Sequence, residues 1–254
     1  MRAAAASVVT VSDTGGYHPR VQIFSGLDSE EMSHIALRAR GQHKARGEFI
    51  YMPGDRADFV YILRKGRVKL SVLSESGKEV AIDIIQPGEI FGEFALVDES
   101  PRSNMAQALD DMLMWIFSKD QFTRLLAVHP QLALSYIRVV GDRRRRMEKK
   151  LSDITSKAVS ARVCELLHEL STRASEIEAA VSDYLVPLTH HDVASLIGAA
   201  RQTTTTVLND LERRGIIELG RGWVRVKHLK QLQTYAGMLL AIGVQTFFGL
   251  LSAG

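Results

Sequence analysis

Two groups of residues have the types and spacing to do chemistry. The first runs Gly88-Glu89-Ile90-Phe91-Gly92-Glu93-Phe94-Ala95-Leu96 and is followed by Arg102-Ser103. A Gly-Glu pair opening a short apolar helix leaves backbone N–H groups where an anion can sit, and an Arg beside a hydroxyl can close over it. The chemistry expected is a cradle for one small phosphate, although alone these residues also suit a strand, a tight turn and a surface Arg. The second group is Arg201, Gln202, Thr205 and Thr206, with Thr203, His190 and His191 nearby. From the start of a helix, an Arg can bond guanine O6 and N7, a Gln can bond adenine, and Thr methyls suit thymine. Thr203, His190 and His191 can donate to phosphates, which fixes register without reading bases. The histidines equally suit solvated rings at a capped helix end. Adjacent histidines lack the spacing of zinc ligands, and no third ligand is evident.

The elements that must position these groups follow from periodicity. Asp28 with Glu31 reads as a capping box, with Met32, Ile35 and Leu37 following, so a short helix should begin there. From Glu48 to Trp115 the pattern is short β-type runs: 49–51, 59–63, 68–73 and 80–85, divided by Pro53-Gly54-Asp55, Lys65-Gly66, Ser76-Gly77 and Pro87-Gly88. Many short strands with glycine turns argue a small antiparallel barrel or jelly roll, with the phosphate cradle as its helical insert. Leu70 lies on one of these strands as a wall for a flat ring or as plain core.

Residues 119–127 read as a helix, and Pro130 opens a long one running to about Lys157. At 1.5 Å per residue it spans about 40 Å, more than one small domain needs. Leu132, Tyr136, Val140, Met147, Leu151, Ile154 and Ala158 fall at spacings of three, four and seven, which predicts a seam for a second helix, most simply a second copy. Arg143 falls on that seam, where a charge needs Glu93, a ligand or a partner subunit to meet it.

A new amphipathic pattern, Val163, Leu166, Leu167 and Leu170, puts a hinge near Lys157 to Ala161. Thr189-His190-His191-Asp192 reads as another capping box, and Gly198 separates that helix from one over residues 199–214 with Val207, Leu208 and Leu211 inward. Two short helices across a glycine turn are helix-turn-helix grammar. Residues 216–226 add a β-hairpin, giving a winged form.

The chain has 254 residues, room for two domains, and a net charge of +3. A single cysteine, Cys164, excludes an internal disulfide and an all-cysteine metal site, and its apolar neighbours suit a buried thiol. The first residues show no signal peptide, hence a cytoplasmic protein is expected. The apolar tail from Ala236 to Leu251 falls short of the roughly twenty residues that span a bilayer. No carboxylate pair, nucleophile triad or metal cluster with workable spacing suggests an enzyme.

Residues 47–103 resemble the cyclic-nucleotide-binding domain of the cyclic AMP receptor protein (CRP/FNR) family of bacterial transcription regulators. The resemblance rests on Gly47-Glu48, Pro53-Gly54-Asp55, Tyr61-Ile62, Gly66-Arg67-Val68, Gly88-Glu89, Gly92-Glu93 and Arg102-Ser103, and continues through the long helix into the helix-turn-helix. It implies an α+β chain with an N-terminal β-roll (jelly roll), a long dimerisation helix and a C-terminal winged helix-turn-helix. The domains are then a leader over 1–20, the β-roll over 21–128, the dimerisation helix and hinge over 129–158, the DNA-binding domain over 159–232 and a tail over 233–254.

Carried over by residue, the resemblance puts phosphate contacts on Arg102 and Ser103, a ribose contact on Glu93, and backbone contacts on Gly92 and Phe94. Leu70, Phe91, Arg143 and Met147 complete the expected ligand-binding set. Met147 and Glu148 stand where the best-known members hold the adenine edge with Thr and Ser, so recognition of the base should depart from theirs. DNA-reading positions fall on Arg201, Gln202 and Thr206. The expectation is a homodimer on an inverted-repeat promoter site, working with RNA polymerase and controlled by a cyclic nucleotide, cyclic AMP foremost, with no metal or covalent cofactor. The alternatives are a regulator of the same fold that binds no cyclic nucleotide or senses another ligand, and a cyclic-nucleotide-binding regulatory subunit that does not bind DNA.

Overall fold

Strand β3 (Phe59–Lys65) shows how the first half of the chain is built. Its alternate side chains face opposite ways, as strand geometry requires. Val60 and Ile62 join one buried cluster with Phe24, Trp115, Phe122 and Leu132, whereas Tyr61 and Leu63 join another with Leu70, Phe91 and Met114. The strand therefore separates a helix-covered core from the interior of a roll.

The computed structural model describes residues 22–24, 27–97, 100–177 and 184–238. The expectations for the leader and for the tail beyond residue 238 lie outside the described residues. The chain divides into two compact units, Met1–Arg144 and Arg145–Gly254.

In the first unit, α1 (Ser29–Arg38) starts at the expected capping box, in which Asp28 accepts from the Glu31 amide and Glu31 accepts from the Asp28 amide. Two antiparallel four-stranded sheets follow. One is ordered β1 (Arg40–Lys44), β8 (Met112–Ser118), β3, β6 (Ile90–Phe91). The other is ordered β2 (Phe49–Tyr51), β7 (Met105–Ala108), β4 (Val68–Leu73), β5 (Glu79–Ile85). The sequence expectation named β2, β3, β4 and β5 but not the other four. β1 reads Arg-Gly-Gln-His-Lys and buries only Gly41, and β7 reads Met-Ala-Gln-Ala, so neither carries the β-branched alternation that signals a strand. A second capping box, between Ser118 and Gln121, opens α2 (Lys119–Val128).

Helix α3 (Pro130–Ser156) has proline in its first turn, where a missing N–H costs nothing. Its faces differ from the single seam expected. Leu132, Ser135, Val139 and Arg143 are buried, with Leu132 and Val139 in the helix-covered core of the roll and Tyr136 packed against it. The apolar stripe left exposed is Leu134, Ile137, Val140, Met147, Leu151 and Ile154. Leu132, Tyr136 and Arg143, expected on the seam, thus lie outside the exposed stripe, and Leu134 and Ile137 lie on it. Periodicity finds the apolar rows of a helix but not which row its own domain consumes.

The second unit holds α4 (Val159–Ile177), β9 (Tyr184–Val186), α5 (His190–Ile197), α6 (Arg201–Arg213) and the hairpin β10 (Ile217–Gly220) and β11 (Trp223–Val226). A three-stranded antiparallel sheet ordered β10-β11-β9 forms the wing. Residues 229–238 are helical. Cys164 is buried, with burial pushing its thiol up to about 12, as its apolar neighbours predict.

Candidate ligand site and nucleic-acid interface

The stretch expected to cradle a phosphate lies where β6 ends. Gly92 has φ +70° and opens a short 3-10 turn, Glu93–Leu96. A Cβ there would come 2.9 Å from the Tyr61 ring and 3.0 Å from Arg102 Nη1, so the position demands glycine on both backbone and steric grounds. Arg102 is 5 % exposed; Nη1 donates to the Gly92 carbonyl at 2.7 Å and Nη2 to the Phe59 carbonyl. Its Nε is buried with no hydrogen-bond partner among the described residues. The guanidinium lies over the rings of Tyr51, 4.5 Å from the centroid, and Tyr61, at 5.7 Å. Tyr51, Tyr61 and Phe91 stack on one another, with Tyr61 and Phe91 closest at 5.0 Å.

Arg143 reaches the same place from α3. Its Nη1 donates to Glu93 Oε1 at 2.7 Å, its Nη2 to the Ile90 carbonyl at 2.6 Å, and its Nε lies 3.4 Å from Asp83 Oδ2. Burial alone would lower the Arg143 pKa, but Glu93, Asp83 and Glu89 outweigh it and raise the value. Glu93, one of the groups expected to meet Arg143, is in contact with it. Asp83 escaped that reasoning. An aspartate inside the apolar strand Glu79–Ile85, in register with Leu70, was the readable signal.

In the second unit, Thr189 caps α5 through the expected box with Asp192. Gly198 closes the helix with φ +63°, and a Cβ there would come 2.7 Å from Ile154 Cδ1. Arg162 of α4 donates to the Ile197 carbonyl at 2.5 Å and so fastens the turn, a role that nothing in its neighbours announces. Leu208, Leu211 and Thr204 face inward, and Thr204 bonds back to the Ala200 carbonyl. Arg201, Gln202, Thr203 and Thr206 are exposed along the opposite side. Thr205 is half-buried and shares a 3.1 Å hydrogen bond with His190 Nδ1. Burial and the neighbouring Arg201 hold the His190 ring below the usual histidine value, which leaves it neutral near pH 7.

A cyclic nucleotide-binding domain matches residues 42–129, and a Crp-like helix-turn-helix domain matches residues 161–235. The chain belongs to the CRP/FNR family of transcription regulators. Among its relatives in that family, a CRP-like cAMP-activated global transcriptional regulator of Mycobacterium tuberculosis is 28% identical over 79% of this chain and 89% of its own. The cyclic AMP receptor protein of Thermus thermophilus is 27% identical over 84% of this chain and 96% of its own. Among solved structures, the c-di-GMP-responsive regulator CLP of Xanthomonas campestris shares the fold, with a TM-score of 0.65 at 20% identity over 78% of this chain and 99% of that one.

Within this CRP/FNR chain, the first unit brings together Leu70, Phe91, Gly92, Glu93, Arg102 and Arg143. Phe94 and Ser103 are exposed, Phe94 by 62 %. Tyr51 joins the group without having been singled out, because an aromatic in a strand reads first as core. Among the described residues, no group of three or more His, Cys, Asp or Glu could hold a metal ion, and no helix is long and apolar enough to cross a membrane.

Proposed function

We propose that the chain is a homodimeric, sequence-specific DNA-binding regulator, not an enzyme, whose grip on DNA is controlled by a cyclic nucleotide. Cyclic AMP is the foremost ligand, in keeping with the names of the two relatives above. The observation that carries the reading is Arg102: a buried guanidinium at a glycine-opened turn, with a donor still unused, on the same chain as a Crp-like helix-turn-helix. An anion bound there gains charge-assisted hydrogen bonds from Arg102 and backbone donors at Gly92 and Phe94. Ser103 adds a hydroxyl, and Glu93 accepts from the ribose. Leu70 and Phe91 supply apolar walls, and the sequence carries Met147 where a hydrogen-bonding side chain would hold a base, so discrimination among bases is weak.

The exposed stripe Leu134, Ile137, Val140, Met147, Leu151, Ile154 recurs at three, four and seven, and pairs with its copy to form the dimer. Two α6 helices then enter successive major grooves of an inverted repeat. Arg201 and Gln202 meet base edges, Thr205 and Thr206 meet bases beside them, and Thr203, His190 and His191 meet the backbone. The molecule works in the cytoplasm with RNA polymerase.

The test is a DNA-binding titration on an inverted-repeat promoter fragment with cyclic AMP, cyclic GMP or no nucleotide. Affinity should rise about 5- to 150-fold with ligand, the usual span of allosteric coupling. Equal affinity in all three arms favours the second reading, a regulator of this fold that needs no cyclic nucleotide. That reading draws support from the pairing of Glu93 with Arg143, which satisfies both charges within the chain.

A further inference from the structure

Tyr51 carries a hydroxyl that its packing does not use. The side chain is 4 % exposed on β2, stacked against Tyr61 and Phe91, with Arg102 over its ring. Its hydroxyl is buried and has no hydrogen-bond partner among the described residues. A phenylalanine would supply the same ring without burying an unused polar atom, and buried tyrosine hydroxyls ordinarily find partners. Beside it lies a second unused donor, Arg102 Nε, so two buried donors in one aromatic-lined site both lack an acceptor.

We propose that Tyr51 is a ligand-binding residue whose hydroxyl donates a hydrogen bond to the cyclic phosphate held by Arg102. This rests on the cyclic-nucleotide reading and extends it to a residue outside the expected ligand set. The charged groups that act on the hydroxyl are Arg102, Glu93 and Arg143, the same three that line the cradle. Burial raises the phenol well above its ordinary value, so it stays a neutral donor throughout the physiological range. A neutral donor suits an anion whose charge Arg102 balances, because it adds a hydrogen bond without adding charge.

The test is calorimetric titration of the full-length protein and of Tyr51→Phe with cyclic AMP and with cyclic GMP, together with thermal melts of both proteins without nucleotide. The variant should bind both nucleotides about 10-fold more weakly, the scale of one hydrogen bond to a charged group. Its melting temperature should be unchanged or higher, since an unused buried hydroxyl has been removed. Unchanged affinity in the variant overturns this inference and leaves the cyclic-nucleotide reading standing. A loss confined to one nucleotide places the hydroxyl on the base and overturns it as well. A variant that melts below the parent has lost an internal partner, which also overturns it. A parent protein that binds neither nucleotide overturns both readings.

Discussion

Arg143 and Glu93 lie fifty residues apart in sequence and meet at 2.7 Å, both buried, where α3 crosses the cradle turn. The pair has Asp83 3.4 Å away on its other side, so one guanidinium serves two carboxylates. Removing the cation leaves Glu93 buried and Asp83 partly buried without it, and breaking such a buried pair usually costs about 3 to 5 kcal/mol. Arg143→Ala should therefore lower the stability of the nucleotide-binding unit by that amount in a urea melt. A change below about 1 kcal/mol would mean that water reaches the carboxylates.

Arg102→Ala should abolish the response of DNA binding to cyclic nucleotide while the protein still elutes as a dimer. Size-exclusion chromatography beside the promoter titration checks both parts. A variant that responds normally would remove Arg102 from the ligand site.

On the DNA side, Arg201 sits exposed at the start of α6, one turn from the buried Thr204 that anchors the helix. Arg201→Ala should relax base preference at one position of each half-site by about 1 to 3 kcal/mol. Competition binding against single-base variants of the site reads this directly. A uniform loss across all sequences would make Arg201 a phosphate contact.

Ile137 is 64 % exposed and Leu151 68 %, on one stripe of α3. The double variant Ile137→Glu, Leu151→Glu should sediment as a monomer while each unit keeps its fold, because neither side chain is buried within its own unit. Sedimentation velocity checks the mass and circular dichroism the fold. A dimer surviving both charges would place the interface elsewhere.

A pH dependence follows at the joint between α3 and α4. Lys149 Nζ lies 2.7 Å from Asp153 and 3.0 Å from Glu165, and Lys157 Nζ lies 3.0 Å and 2.7 Å from the same two acids. Burial would raise the Asp153 carboxyl, but hydrogen bonds from Lys149 and Lys157 outweigh it and hold the group below its ordinary 3.8. Its contribution is therefore complete above that value and is lost as pH falls through the lower folded one. Thermal melts between pH 6 and about pH 3 should show the loss at the acid end, and Asp153→Asn should reduce it.

The parts that the sequence made legible are those where one residue type answers one local demand. The capping boxes at Asp28 and Thr189, the glycine at residue 92 and the helix-turn-helix glycine at residue 198 all behave this way. What stayed hidden depends on tertiary partners. The polar strand Arg40–Lys44 forms because β8 accepts it along five paired residues, and β9 forms because the hairpin strand β11 lies beside it. The row of α3 that faces the roll could not be told from the free row, since both are apolar and both repeat every three or four residues. Tyr51 and Asp83 were passed over for the same reason: their meaning lies in Arg102 and Arg143, which only the fold brings near.

Ile154, in the last turn of α3, packs against Gly198, where a Cβ would come 2.7 Å from its Cδ1, and Arg162 just past the α3–α4 break donates to the neighbouring Ile197 carbonyl. The break after Ser156 is therefore bridged, because side chains from both sides of it reach the turn between α5 and α6. The end of the long helix and the corner between α5 and α6 thus share a contact through which a twist of one reaches the other, as a key's shaft meets its bit.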